Sequence, residues 1–130
     1  MKKTILPCVA FLCLFLFSCT KEKTPAELLQ KKWIANSQEL MGSTVPLSDG
    51  SYLKFSSTIV GEDYKGSNKT TGAFTYTLDE AGTSLAIKDT DNNGGNYNYT
   101  WTVEELTETN LTLSATLGAF GVTRIKLSAQ

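Results

Sequence analysis

The sequence has no histidine among its 130 residues, and neither charge sign dominates, with 12 basic against 13 acidic residues. Without histidine there is no standard serine or cysteine triad, and a zinc centre lacks its usual nitrogen ligand. Balanced charge leaves no basic surface for nucleic acid. No phosphate-binding loop or nucleophile elbow is present either. We therefore expect a binding protein that is not an enzyme, holds no cofactor and has no nucleic-acid partner.

Cysteine is scarce, and its three copies, at positions 8, 13 and 19, all lie in the first nineteen residues. There, Lys2 and Lys3 precede an apolar run over residues 5–17. This run is shorter than the roughly 18–20 residues of a transmembrane helix and fits the roughly 7–15 residues of a secretory signal. We therefore predict that the segment directs export.

The segment ends in Leu16-Phe17-Ser18-Cys19, followed by a polar stretch. It resembles the lipobox of bacterial lipoprotein signals, which has Leu at −3, a small residue at −1 and Cys at +1. The resemblance implies cleavage after Ser18, lipid on the Cys19 thiol and fatty acid, such as palmitate, on the new amino group. It implies a protein held by its lipid in the bacterial cell envelope, in the outer membrane, with a periplasmic-facing or a surface-exposed position left open.

Processing changes the composition of the chain. The expected division is a signal peptide over residues 1–18, a lipidated cysteine and tether over 19–25, and one domain over 26–130. The mature chain then keeps ten basic and thirteen acidic residues, and no cysteine beyond Cys19. Because no disulfide is available, the domain must be stabilised by its hydrophobic core alone.

One short helix is predicted before a long series of strands. Thr24, Pro25 and Glu27 form a capping box with proline at the first helical position, which predicts a helix within residues 24–32. Apolar and polar residues then alternate with period two between turn residues about ten positions apart, as in antiparallel sandwiches or up-and-down barrels. The predicted strands are residues 32–40, 51–56, 58–64, 71–78, 84–89, 96–103, 110–116 and 120–128.

The lipobox cysteine, the short helix, a tryptophan in the first strand and a meander of threonine-rich strands resemble the lipocalin-like lipoproteins of Bacteroidota. The resemblance implies an all-β, antiparallel up-and-down meander that closes into a small barrel of about eight strands. In that family an arginine of the last strand packs across the first-strand tryptophan. Trp33 and Arg124 match these positions, although Lys31 replaces the glycine of the family's G-x-W. A cation–π contact between them would be worth about 0.5–2 kcal/mol.

Aromatic residues are concentrated on the apolar faces of the predicted strands. Tyr97, Tyr99 and Trp101 share one face of the strand predicted over 96–103. Such residues either fill the core or line a pocket, because an eight-stranded barrel is just wide enough to be filled or to hold one small ligand. The candidate ligand-lining residues are Trp33, Phe55, Phe74, Tyr76, Tyr97, Tyr99, Trp101 and Phe120.

A weak metal motif lies between two predicted strands. Asp89, Asp91 and Asn93, followed by Gly94, match the start of an EF-hand calcium loop. The bidentate glutamate of such a loop is replaced by Thr100, and a polar hairpin explains the same residues through turn preference. We therefore expect no metal site.

Two functions remain open. The first is a lipid-anchored envelope protein whose barrel binds a small apolar ligand. The second is a protein- or glycan-binding or structural module of an outer-membrane assembly, with the barrel only as scaffold. An outward-facing aromatic patch at Tyr97, Tyr99 and Trp101 would favour the second. The sequence leaves the oligomeric state open.

Overall fold

The computed structural model describes residues 20–90 and 97–130. Within these residues, nine antiparallel strands form one sheet, preceded by helix α1 (Pro25–Leu29). No helix of this part of the chain is long and apolar enough to cross a bilayer. The strands are β1 (Lys32–Leu40), β2 (Ser43–Pro46), β3 (Tyr52–Phe55), β4 (Val60–Lys65), β5 (Thr70–Leu78), β6 (Ser84–Asp89), β7 (Thr100–Leu106), β8 (Asn110–Thr116) and β9 (Val122–Ala129).

Helix α1 begins with the predicted capping box. The Thr24 hydroxyl accepts the backbone N–H of Glu27 at 3.3 Å, and the Glu27 carboxylate accepts the backbone N–H of Thr24 at 2.8 Å. Pro25 occupies the first turn, as expected. The helix is shorter than predicted, because Gln30 leaves the helical conformation with φ −71° and ψ 73°.

The sheet closes on itself between its first and last strands. Strand β1 pairs with β9 from Trp33 opposite Ala129 to Leu40 opposite Thr123. Closure joins eight strands into a barrel and removes the exposed edges that an open sheet would leave. The prediction of an antiparallel up-and-down barrel of about eight strands is confirmed.

Strand β2 is additional to the eight strands that the sequence pattern predicts. Met41 and Gly42 both have positive φ, 53° and 80°, as in the tight turns of two-residue hairpins. The chain therefore reverses after Leu40, and β2 pairs with the second half of β1 while β3 pairs with its first half. All four residues of β2 are exposed, so no alternation of apolar and polar residues marks the strand.

Strand β7 starts four residues later than predicted, at Thr100. The backbone N–H of Tyr99 donates to the carbonyl of Tyr97 at 2.7 Å, a bond that only a tight turn allows. Tyr97 and Tyr99 therefore precede the strand, and the alternation expected over 96–103 fails at its beginning.

Consecutive strands run in opposite directions, so the connections fall alternately at the two ends of the barrel. At one end lie α1 and the turns β3–β4, β5–β6 and β7–β8; we call it the closed end. At the other lie the β1–β2 hairpin, the β4–β5 turn and the β8–β9 loop; we call it the open end.

Helix α1 covers the closed end. Leu29 is fully buried, and its carbonyl accepts the indole N–H of Trp33 at 3.0 Å. Pro25 packs so closely on the β5–β6 turn that a Cβ added to Gly82 would lie 2.5 Å from its side chain. Lys31 donates to the backbone carbonyl of Glu108, in the β7–β8 turn, at 2.9 Å. The helix and the residues that follow it thus contact both the β5–β6 turn and the β7–β8 turn.

Candidate functional site

The open end contains a cavity of about 300 Å³ between β1, β9, the beginning of β7 with the residue before it, and the residue that follows β8. Its lining combines apolar, aromatic and uncharged polar side chains and includes no charged residue. The lining residues are Gln38, Leu40, Tyr99, Trp101, Leu117 and Thr123.

A β-bulge in β1 turns two of these side chains into the barrel. Trp33 and Ala35 are buried, but the pairing of β1 with β9 shifts between Ala35 and Ser37. After the shift, Gln38 and Leu40 lie opposite Ile125 and Thr123, which are buried inside the barrel. An extra residue of this kind reverses which positions face inward, so even-numbered residues of β1 line the mouth.

The floor of the cavity is aromatic. Trp101 is 1% exposed, and its indole N–H donates to the carbonyl of Tyr97 at 2.9 Å. Tyr99 meets the Trp101 ring edge-on, with centroids 5.9 Å apart and an interplanar angle of 84°. Because Tyr99 is 44% exposed, its ring can contact a bound molecule without any rearrangement of the buried core.

The barrel interior beneath the mouth contains buried polar groups. Tyr97 is buried, and this burial, followed by the charges of Asp63 and Asp49, raises its pKa to about 12. The phenol is therefore protonated at neutral pH. Asp63 is also buried, and a Cβ added to Gly72 would lie 2.5 Å from its carboxylate. Glycine at position 72 thus leaves room for an inward-facing carboxylate.

Comparison with known proteins shows which fold this is. No family model and no curated protein matches the chain. A lipocalin-like protein from Bacteroides uniformis ATCC 8492 superposes with a TM-score of 0.61 at 17% identity, covering 79% of this chain and 99% of that one. The fold is lipocalin-like. An uncharacterized protein from Bacteroides eggerthii DSM 20697 also superposes, with a TM-score of 0.57 at 15% identity, over 78% of this chain and 99% of that one.

The aromatic candidates fall into two groups in the lipocalin-like barrel. Phe55, Phe74 and Tyr76 contact one another with ring centroids 4.9 to 6.3 Å apart, and they fill the barrel instead of bordering the cavity. Tyr99 and Trp101 border the cavity. The buried candidates are Trp33, Phe55, Phe74, Tyr76, Tyr97 and Trp101, whereas Tyr99 and Phe120 are exposed.

The rings of Tyr97, Tyr99 and Trp101 form one cluster, in which Trp101 contacts both tyrosines, with centroids 6.2 and 5.9 Å apart. Within this cluster Tyr97 and Trp101 are buried, whereas Tyr99, at the barrel mouth, is exposed. The exposed aromatic patch expected of a glycan- or protein-binding face therefore does not form from these three residues.

The predicted pair between Trp33 and Arg124 is wrong. Arg124 lies opposite Glu39 in β1, six residues beyond Trp33, which corresponds to roughly 20 Å along a strand. Its guanidinium pairs on the outer surface with Glu39 and Glu104, each at 2.7 Å. The hydrogen bond from Arg124 lowers the pKa of the Glu104 carboxyl. It is Lys31 whose ammonium lies over the Trp33 ring, 5.2 Å from its centroid.

Two predicted sites fall outside the described residues. Asp91 and Asn93 of the weak calcium motif lie in the gap, and only Asp89, at the end of β6, is described. Cys19 immediately precedes the described chain. Among the residues that the structure does describe, no group of three or more potential ligands could hold a metal ion.

A rim of exposed apolar side chains borders one side of the open end, at the β1–β2 hairpin and the β8–β9 loop, and of its residues the sequence predicted only Phe120 as a site residue. Met41 at the tip of the β1–β2 hairpin is 74% exposed, and Phe120 in the β8–β9 loop is 68% exposed. Leu40, Val45 and Val122 are also exposed. Most of these residues lie in turns or in the unpredicted strand β2, where no periodicity shows which way a side chain points.

Proposed function

We propose that this protein is a lipid-anchored envelope lipoprotein that binds a small, mostly apolar ligand at the open end of its lipocalin-like barrel. The observation that carries the proposal is the uncharged cavity with a tryptophan floor at the barrel mouth. Binding, and not catalysis, is the activity that this lining supports.

The lining suggests what kind of molecule would fit. Ligand pockets usually enclose about 300–1,000 Å³, so this cavity suits a ligand at the small end of that range. Leu40, Leu117 and Tyr99 offer apolar contact, while the Gln38 amide and the Thr123 hydroxyl offer hydrogen bonds. We therefore expect a short acyl chain or a single ring with one uncharged polar group, bound near the surface of the barrel.

The anchor is the second part of the proposal. It is supported by Leu16, Ser18 and Cys19 in the lipobox pattern after a short apolar segment. Two or three acyl chains hold a protein far more firmly than a single myristoyl chain does. Mass spectrometry of the membrane fraction should show a chain that begins at Cys19 and carries lipid, whereas an unmodified Cys19 in a freely soluble product contradicts the anchor.

Ligand binding is tested by titrating the purified lipoprotein with octanoic acid and with octanol, as charged and neutral probes, in isothermal calorimetry. We expect octanol to bind more tightly, because the lining lacks a basic partner for a carboxylate. Leu40→Asp should weaken binding at least tenfold by placing a charge in the wall. Ile59→Asp, a matched change at the closed end, should leave the affinity unchanged. Equal effects of the two variants, or no saturable binding of either probe, would contradict the proposal.

The exposed rim favours a second candidate, a partner protein of the envelope that docks on the open end. Met41 and Phe120 are exposed at the open end and are not among the residues that line the cavity. Under this alternative Phe120→Ser abolishes capture of the partner from solubilised outer membrane without changing octanol affinity. Under ligand binding alone, Phe120→Ser leaves the set of captured proteins unchanged.

A further inference from the structure

Two exposed apolar residues lie far from the open end, one in the turn between β3 and β4 and the other at the first position of β4. Ile59 is 61% exposed and Val60 is 45% exposed. The Ser57 hydroxyl accepts both of their backbone N–H groups, at 3.4 and 3.2 Å, and the Ile59 carbonyl accepts the N–H of Tyr76 at 2.9 Å. These bonds hold the turn against β5, so the Ile59 side chain is presented to solvent by a fixed backbone.

Two lysines next to this turn face each other across the barrel surface. Lys32 in β1 lies directly opposite Lys54 in β3, and like charges in that position destabilise a sheet. Neither forms an ion pair with a carboxylate of the described residues. Glu62, opposite Lys54 on its other side, instead accepts the Tyr52 hydroxyl at 2.6 Å. The Lys32 ammonium lies over the Tyr52 ring, 4.3 Å from its centroid, and an external anion on Lys54 would relieve the repulsion that remains.

The lysines and the apolar turn form one continuous surface. Phe55 pairs with Gly61, and both are buried, so their neighbours Lys54 and Val60 face outward on adjacent strands. Diagonal neighbours of this kind are about 7–8 Å apart. We call the surface formed by Lys32, Lys54, Ile59 and Val60 the anchor-side patch.

The patch lies at the end of the barrel where the chain enters. The N–H of Phe55 donates to the carbonyl of Lys31 at 3.0 Å, which places the β3–β4 turn beside the start of β1, directly after α1. Only residues 20–24 separate α1 from Cys19. At roughly 3.3–3.6 Å for each residue, this tether spans no more than about 20 Å. A membrane that holds Cys19 must therefore lie close to the closed end.

We propose that the anchor-side patch docks on the membrane that holds the lipid anchor, with Ile59 and Val60 in the headgroup region and Lys32 and Lys54 on lipid phosphates. This inference rests on the proposed anchoring at Cys19. Apolar side chains flanked by lysines are the composition of surfaces that lie in a membrane interface. Docking there directs the open end away from the bilayer, where a ligand or partner can reach it.

The experiment uses the lipidated protein in phosphatidylcholine–phosphatidylglycerol vesicles that carry nitroxide-labelled lipids. Lipidation consumes the Cys19 thiol, so Ile59→Cys introduces a single reactive thiol for a small fluorophore. We expect nitroxide lipids to quench the label at position 59 several-fold more than the label in Phe120→Cys at the open end. Circular dichroism checks that both labelled proteins are folded.

The lysines are tested in the same system. Changing Lys32 and Lys54 to Gln together should reduce quenching at position 59 at least twofold, whereas the matched change of Lys69 and Lys126 should not. Equal quenching at positions 59 and 120, or stronger quenching at 120, overturns the proposed orientation. Mass spectrometry separates the two failures: an unmodified Cys19 overturns the anchor and the docking together, whereas a lipidated Cys19 with an unquenched label at 59 overturns the docking alone.

Discussion

The two ends of the barrel differ in which side chains they bury and which they expose. Around α1 at the closed end, the apolar side chains of Leu29 and Trp33 are fully buried, and a helix cap and ion pairs join the polar groups next to them. At the open end the relation is reversed, because Met41 and Phe120 are exposed while the Asp63 carboxylate is buried. Exposed apolar patches of this kind mark interaction sites. The region around α1 therefore stabilises the fold, and the open end has the composition of a binding surface; Ile59 and Val60, exposed at the closed end, belong to the separate anchor-side patch.

The contrast predicts that truncations at the two ends have very different costs. Trp33→Ala removes a fully buried indole and its hydrogen bond to Leu29, and should lower the free energy of unfolding by about 3–5 kcal/mol. Phe120→Ala, a change of similar size on the exposed rim, should alter it by no more than about 0.5 kcal/mol. Urea unfolding followed by circular dichroism measures both. Similar losses would remove the distinction between the ends.

A pair of glycines sharpens the comparison. Gly82 and Gly42 have φ of 72° and 80°, so alanine at either position meets the same backbone strain. At Gly82 the new methyl group would also lie 2.5 Å from Pro25, whereas at Gly42 it meets nothing within 4 Å. Gly82→Ala should therefore destabilise the protein by about 1–3 kcal/mol more than Gly42→Ala, as overpacking usually does. Equal thermal unfolding midpoints of the two variants would mean that the contact between Pro25 of α1 and Gly82 contributes little to stability.

The smallest expected effect appears at alkaline pH. Burial raises the pKa of Tyr97 to about 12, and the hydrogen bond to Glu62 raises that of Tyr52 to about 12, both from 10.0. A raised pKa in the folded state stabilises the protein below pH 10, and this stabilisation is lost as pH rises towards 12. The urea midpoint should thus fall between pH 10 and 12. Tyr97→Phe should make that fall shallower, and an unchanged slope would show that Tyr97 is not protected by the fold.

The sequence predicts the barrel well wherever a strand has one face in the core. The strands predicted over 32–40, 84–89 and 110–116 coincide with β1, β6 and β8. Each combines inward apolar residues with turn residues at both ends, which is the pattern that period two detects. The lipocalin-like closure followed from a family resemblance, since alternation alone cannot distinguish a barrel from a sandwich.

The candidate site was predicted only in part, and the reasons are local. The bulge after Ala35 reverses the inward face of β1, so nothing in the sequence marks Gln38 and Leu40 as lining residues. The tight turn between Tyr97 and Tyr99 delays the start of β7 to Thr100, so both tyrosines lie before the strand predicted to contain them. Arg124 lies on the outward face of β9, and the register of β1 with β9 places it opposite Glu39 and not opposite Trp33. Register and bulges depend on partner strands, and a single sequence does not show those partners.

The most direct test of the two-ended account uses the two tryptophans as local reporters. Trp33→Phe leaves only Trp101, beneath the mouth, and Trp101→Phe leaves only Trp33, at the closed end. Each lipidated variant is titrated with 8-bromooctanol, whose heavy atom quenches tryptophan fluorescence only at short range. We predict saturable quenching of Trp101 and none of Trp33. Equal quenching of both, or quenching of Trp33 alone, would contradict ligand binding at the open end.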